Sequence, residues 1–393
     1  MQQPIVHTYS LGELYTERKE KGDPLLPILT VSIHTGVSEG ELDEDKLGKK
    51  VKRIADKTQY KTARKGDLVF NMMRAWQGAI GVVRSEGLVS PAYIVAKPNG
   101  KIWPEYMDYC MKTPRMIHAI HRQSYGVTDF RLRLYWDSFT PITCQLPPLP
   151  EQQKIAAILS IQDKVIELKE KLLAQKQQQK KYLMQQLLTG KKRLPGFDRK
   201  WNYVKANEIF KSIVDKSYDG KLEVLSSTQD KGIVPRSQVD IDIKYNENSL
   251  STYKKVCEGD FVISLRSFQG GIEYSNYAGI VSPAYTVLRA IVKIDAGYYK
   301  QFFKSSNYIK RLNVAVYGIR DGKQISYDDF GQIKIPVPPI EEQREVAKML
   351  STADHEIDLL QKSIEAEKQK KKALMQLLLT GKVRVEDEQK QDG

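Results

Sequence analysis

Pro147-Pro148-Leu149-Pro150-Glu151-Gln152 opens a segment that closes on Leu187-Leu188-Thr189-Gly190-Lys191. The same reading returns 191 residues later, from Pro338-Pro339-Ile340-Glu341-Glu342-Gln343 to Leu378-Leu379-Thr380-Gly381-Lys382. The two stretches align without a gap, and 22 of 45 positions are identical, so the chain is a duplication. Each copy reads as one long helix. Proline disfavours helix in the residue before it and is tolerated in the first turn. Glu151 and Glu341-Glu342 then fall where negative charge complements the helix dipole. Gly190 and Gly381 are the expected C-terminal stops. About 40 residues lie between these signals, a rod of about 60 Å at about 1.5 Å per residue.

The second copy shows a seam. Val346, Leu350, Ala353, Ile357, Leu360 and Ile364 are spaced 4, 3, 4, 3, 4, and the series runs on through Glu367 and Lys371 to Leu374 and Leu378. That is the coiled-coil period of about 3.5 residues. The first copy places Ile155, Leu159, Gln162, Ile166, Lys169, Leu173, Lys176, Lys180, Leu183 and Leu187 there, with Ile158, Val165, Leu168 and Leu172 expected to widen its apolar face. A lone helix with one apolar stripe is unstable in water. The two helices are therefore expected to pack on each other, antiparallel because the chain must fold back between them. Gln175 to Lys181, rich in glutamine and lysine, reads as a solvated helix face.

Outward from the helices, the preceding regions repeat only at anchors. Gly66-Asp67-Leu68-Val69 corresponds to Gly259-Asp260-Phe261-Val262, and Arg74-Ala75-Trp76-Gln77-Gly78 to Arg266-Ser267-Phe268-Gln269-Gly270. Val89-Ser90-Pro91-Ala92-Tyr93 corresponds to Val281-Ser282-Pro283-Ala284-Tyr285, and Tyr125-Gly126 to Tyr317-Gly318. Residues 67–70, 80–83, 93–95 and 261–263 read as short strands between turn signals. Tyr106 to His121 and Gly297 to Leu312 read as helical. Glycine-interrupted strands mixed with one or two helices point to curved sheets in a mixed α/β (α+β) domain. Similar helices imply one shared mechanical task, while divergent domains imply one scaffold carrying two surfaces.

Composition sets the bounds. The 393 residues suffice for two or three domains, and 41% hydrophobic content supports real cores. A formal net charge of +14 suits a polyanionic partner, because each neutralised phosphate releases counterions. Cys110, Cys144 and Cys257 form no C-x-x-C pair, which suggests neither a disulfide framework nor a zinc site. The N-terminus lacks a signal pattern, and no apolar run approaches the ~18 residues of a membrane helix, so a soluble cytoplasmic protein is expected. There is no G-x-x-x-x-G-K-[ST] phosphate loop. No Asn or Asp precedes the Pro-Pro pairs, as amino-methyltransferase chemistry would need, and no glycine-rich cofactor loop follows a strand. The E-x-K triplet Glu167-Leu168-Lys169 falls on the first long helix as a solvated pair. His118 and His121, one helical turn apart, lack a nearby third metal ligand and read as surface or DNA-facing residues. No catalytic residue and no metal site is expected.

The paired P-P-x-x-E-Q openings, the L-L-T-G-K endings and the duplicated order resemble the DNA specificity subunit of type I restriction-modification systems. The resemblance covers essentially the whole chain, and Ser90-Pro91-Ala92-Tyr93 with its twin resembles a recurring segment of that family's target recognition domains. It implies two tandem target recognition domains (1–146 and 194–337), two spacer helices (147–193 and 338–385) packed as an antiparallel pseudo-twofold coiled coil, and a polar tail (386–393). It further implies that each domain reads half of a bipartite, asymmetric double-stranded DNA site. The helices would fix the gap and dock two modification (methyltransferase) subunits, joined by restriction subunits, with the methyl donor and ATP on those partners and no cofactor here. Leu29-Thr30-Val31-Ser32 and Leu225-Ser226-Ser227-Thr228 stand where many members carry G-x-T-P, which marks a different domain subtype. Bases are read by Arg, Lys, Asn and Gln. Arg74, Gln77, Arg266 and Gln269 beside turn glycines, and Arg131, Arg133, Arg320 and Lys323 after the Tyr-Gly pairs, are the candidate DNA contacts. The competing reading is a stand-alone DNA- or RNA-binding adaptor without a methyltransferase partner, against which stands the lack of the aromatic stacking motifs of common RNA modules.

Overall fold

The computed structural model describes residues 7–33, 35–40, 56–128, 131–217, 222–229, 231–239, 247–265, 267–315 and 325–385. The chain divides into two compact units. The first comprises Met1–Leu168 with Ile364–Gly393, and the second Lys169–Ser363. The long helices span Leu149–Leu187 and Ile340–Leu379, and each contributes to both units. Gly190 and Gly381, at φ 68° and 70°, end them as expected.

Within each unit the helix segments run antiparallel. In the first, Gln162 donates to Glu367 at 2.8 Å and Lys371 pairs with Asp163 at 2.5 Å, while Arg384 meets Glu151. In the second, Lys169 donates to Ser363 at 2.8 Å and Lys176 pairs with Glu356 at 2.7 Å, while Lys180 meets Asp354. From Glu151–Arg384 to Gln162–Glu367, and from Lys169–Ser363 to Lys180–Asp354, the partner's number falls as the first rises. Every seam position named above is buried or half-buried. Leu168 and Leu172 depart from expectation, at 53% and 43% exposed. A two-helix pair covers one narrow stripe per helix, and both leucines lie off it.

Each unit carries an open antiparallel sheet of four strands. The first has the order Tyr15–Glu17, Tyr93–Pro98, Leu68–Asn71, Ile80–Val82, and the second Phe210–Ile213, Thr286–Ala290, Phe261–Ile263, Glu273–Tyr274. Period-two alternation buries both faces. Leu68, Phe70, Ile94 and Ala96 face the helices, whereas Val69 and Val95 join Leu29, Val31, Ala63 and Val89 of two flanking two-stranded ladders. Phe261, Ile263 and Leu288 against Val262 and Val287 repeat the division. Strand His7–Ser10 pairs with Thr143–Leu146, and Asn202–Lys205 with Lys334–Val337, so each domain closes just before its long helix begins.

The expected helix over residues 106–121 is two helices, Pro114–Gln123 following Pro104–Cys110. Pro114 cannot continue a helix, and Thr113 caps the new one by accepting the N–H of Met116. The second domain breaks likewise between Ala296–Phe303 and Ser306–Ala315, where Ser305 accepts the N–H of Tyr308.

Three sets of contacts tie each domain and the helix segments of its unit together, and their helix residues recur 191 positions apart. Gln152 accepts the N–H of Trp103 and donates to the carbonyl of Pro147, both at 2.9 Å. Gln343 accepts the N–H of Asp295 at 2.9 Å and donates to the carbonyl of Pro338 at 2.8 Å. Asp163 receives the Tyr109 hydroxyl together with Lys371, and Asp354 receives the Gln301 amide together with Lys180. Finally, Arg384 forks onto Glu151 at 2.8 and 2.5 Å, and Arg193 onto Glu342 at 2.6 and 2.7 Å. The first-turn glutamates thus hold the arginine that follows the other helix, a bidentate role stronger than a dipole contact.

Candidate nucleic-acid interface

The Arg74-to-Gly78 turn forms the exposed edge of the first domain. Asn71, at the end of its strand, accepts the N–H of Met73, and the Trp76 indole donates to the Met73 carbonyl. This tight turn leaves Arg74 and Gln77 exposed. Gly78 ends it at φ 100°. In the second domain the corresponding residues Ser267–Gly270 form a helical turn, and the left-handed position moves one residue on to Gly271 at φ 83°. Ala79 stands at the matching place in the first copy, where a Cβ makes that conformation unfavourable.

A second loop joins the first turn. Tyr125 and Arg133 exchange two backbone hydrogen bonds, at 3.1 and 2.9 Å, and the N–H of Leu134 donates to the carbonyl of Met72 at 2.9 Å. A Cβ at Gly126 would sit 2.2 Å from the Arg131 carbonyl oxygen, so the Tyr-Gly pair is a packing requirement of this loop. Arg131 and Arg133 are exposed on it, and the Tyr125 ring lies 5.1 Å from Tyr135. The structure therefore brings Arg74, Gln77, Arg131 and Arg133 to one edge of the first domain. Gln269 is exposed on the equivalent turn of the second domain, where Gly270 approaches the Gln229 side chain. Arg266, Arg320 and Lys323 lie outside the described residues.

Sequence reasoning missed several neighbours. Burial pushes the Tyr93 phenol upward, against the pull of its Asn71 hydrogen bond and of the Arg74 guanidinium nearby. The Ser-Pro-Ala-Tyr segment is a turn in both copies, with the tyrosine N–H returning to the serine carbonyl at 2.9 and 3.0 Å. Lys61 donates to the Tyr93 carbonyl and Lys254 to that of Tyr285, at 2.7 and 2.6 Å. Desolvation lowers the pKa of both lysines. His121 packs its ring on Trp76, with centroids 5.5 Å apart. The signal available for Tyr93 was its repetition, but its neighbours come from distant strands.

The edge offers guanidinium and carboxamide donors on short turns, the equipment for phosphates and base edges. Among the described residues, no group of three His, Cys, Asp or Glu side chains is placed to hold a metal ion. No described helix is long and apolar enough to cross a membrane.

Comparison with known proteins places this geometry. The profile of the type I restriction modification DNA specificity domain matches residues 14–177 and again 198–368. The type I restriction enzyme MjaVIII specificity subunit of Methanocaldococcus jannaschii is 27% identical over 331 residues, covering 77% of this chain and 76% of that one. The crystal structure of the HsdS subunit from Thermoanaerobacter tengcongensis superposes with a TM-score of 0.52 at 20% identity, covering 96% and 97% of the two chains. The type I restriction-modification S subunit from M. genitalium gives 0.57 at 13% identity, over 96% and 97%. With both units matched across most of their length, the chain belongs to the type I restriction-modification DNA specificity family.

Proposed function

We propose that this chain is the sequence-reading subunit of a type I restriction-modification complex, in which each unit reads one half of a bipartite, asymmetric duplex site. The observation that supports this most is the contrast inside the duplication. The helix residues that hold each unit together recur at one offset, Gln152, Asp163 and Glu151 as Gln343, Asp354 and Glu342, whereas the domains between the shared anchors differ widely in sequence. Two different readers on one repeated frame fit an asymmetric target. The seam helices act as the ruler, since B-DNA rises about 3.4 Å per base pair and helix length then sets the gap. Two modification subunits dock on the equivalent helix ends, and restriction subunits join them. The methyl donor and ATP are bound by those partners, so this chain catalyses nothing itself.

Arg74, Gln77, Arg131 and Arg133 serve the first half-site, and Gln269 with Arg266, Arg320 and Lys323 the second. The experiment is selection of randomised duplexes by the chain assembled with its modification subunits, followed by competition with RNA. A split consensus that duplex DNA alone displaces is the expected outcome. Equal displacement by RNA, or methyl transfer by the purified chain alone, would sink the proposal. Exchange of the second domain should change one half-site only.

A further inference from the structure

The two outer helices, Pro114–Gln123 and Ser306–Ala315, are held in the same register by different residues. Thr113 and Ser305 cap them through the N–H groups of Met116 and Tyr308, both at 3.3 Å. Ile120 and Leu312 are fully buried beneath them. Ile117 and Ile309 press on the turn glycines, 3.6 Å from a Cβ built at Gly78 and 3.5 Å from one at Gly271. With this register fixed, each outward position in one unit has a defined counterpart in the other. His121 answers to Asn313, and Arg122 to Val314, all exposed.

These last-turn positions adjoin the turns that carry Gln77 and Gln269. In the first unit, His121 touches Trp76 of that turn. The chemistry at the pair of positions is opposite in the two units. Arg122 is a fork donor suited to guanine O6 and N7, whereas Asn313 is a carboxamide suited to adenine N6 and N7. Val314 is 72% exposed, an apolar side chain at the open end of a polar helix face. Against DNA it matches the methyl group of thymine. The first unit carries a basic residue at the same position.

We infer that the last turn of each outer helix determines half-site specificity. Arg122 beside His121 directs the first unit to guanine, and Asn313 with Val314 directs the second unit to an adenine and thymine step. This rests on the reading of the units as two DNA readers.

The test exchanges the pair. His121→Asn with Arg122→Val is introduced into the full chain, assembled with its modification subunits, and selected on randomised duplexes. The first half-site should lose its guanine preference at one or two adjacent positions by about tenfold or more and gain A·T there. The second half-site should stay as it was. A second variant, Arg122→Lys, keeps the charge and removes the fork, so guanine discrimination should fall while the salt dependence of binding is unchanged. A wild-type split consensus that both variants leave intact would overturn the inference and leave the two-reader function standing. Equal weakening at every sequence would also overturn it, by making these residues phosphate contacts. A wild-type complex that selects no split consensus would overturn the function on which the inference rests. Unchanged thermal unfolding of both variants certifies that folding is not the cause.

Discussion

The buried aspartates of the two units, Asp67 and Asp260, solve one problem in two ways. Each accepts a backbone N–H from three residues earlier, Arg64 or Cys257, and each is met by a guanidinium. In the first unit that arginine is Arg18, which continues the strand Tyr15–Glu17. In the second it is Arg289, on the strand Thr286–Ala290. Register places Lys97 opposite the role of Arg289, since Ala96 and Leu288 pair with the equivalent residues Leu68 and Phe261. By contrast, Gln152, Asp163 and Glu151 recur 191 residues later as Gln343, Asp354 and Glu342, and their partners Pro147, Lys371 and Arg384 are answered at the same offset by Pro338, Lys180 and Arg193. A buried charge needs a partner but accepts one from any neighbouring strand. A joint among three chain segments has no such choice. Interiors drift while joints persist, and the outward faces are free to specialise.

The largest expected effect breaks the equality of the joints. Glu342 is almost fully buried and also accepts the Trp201 indole, whereas Glu151 is slightly more open. Arg193→Ala strands a buried carboxylate and should destabilise the second unit by about 4 kcal/mol. Arg384→Ala should weaken the first by about 2 kcal/mol, because water reaches part of Glu151. Hydrogen exchange resolved by unit in the full chain separates these values, and equal losses would contradict the asymmetry.

A rescue sharpens the drift argument. Arg18→Ala should destabilise the first unit by about 3 kcal/mol, since Asp67 keeps its backbone donor but loses its counter-charge. Adding Lys97→Arg supplies the arginine from the strand that the second unit uses, and about half of the loss should return. No recovery on urea unfolding would mean that the two solutions are not interchangeable.

Gln152→Ala and Gln343→Ala each remove a donor and an acceptor from buried backbone groups and should weaken their units equally, by about 2 kcal/mol. A clear inequality between them would show that the joints have diverged after all.

The smallest effect concerns the cysteines. Cys110 and Cys144 are buried in the first unit's core, and burial pushes both thiols up to about 12. The folded state favours their protonated form, so the stability this adds is complete below the ordinary thiol range and fades as pH rises from there toward about 12. At neutral pH an alkylating reagent should modify half-exposed Cys257 at least about tenfold faster than either. Comparable rates would indicate that the first unit opens readily.

The long helices and their seam were legible because a repeated period of apolar residues survives in one dimension. Leu168 and Leu172 were misjudged because apolar character does not reveal which stripe a partner will cover. The division at Thr113-Pro114 was written in the sequence, as a threonine cap followed by a first-turn proline. At the interface, the exposure of Arg74, Gln77, Arg131 and Arg133 followed from turn chemistry. The Asn71–Tyr93 and Trp76–His121 neighbours did not, since each joins segments that only the folded sheet brings together. Arg193 and Arg384 sat in plain view after each Thr-Gly-Lys, but their partners lie 149 and 233 residues away.

That last separation imposes an order on synthesis. Everything the second unit needs lies between Lys169 and Ser363, whereas the first needs Arg384, Leu374 and Leu378 to cover Glu151, Ile155 and Leu159. At about 5–20 residues per second, the ribosome takes roughly 10–50 s to make the stretch from Glu151 to Arg384. The unit begun first is therefore the one finished last, holding an uncovered leucine and isoleucine stripe through most of translation while the later unit closes ahead of it.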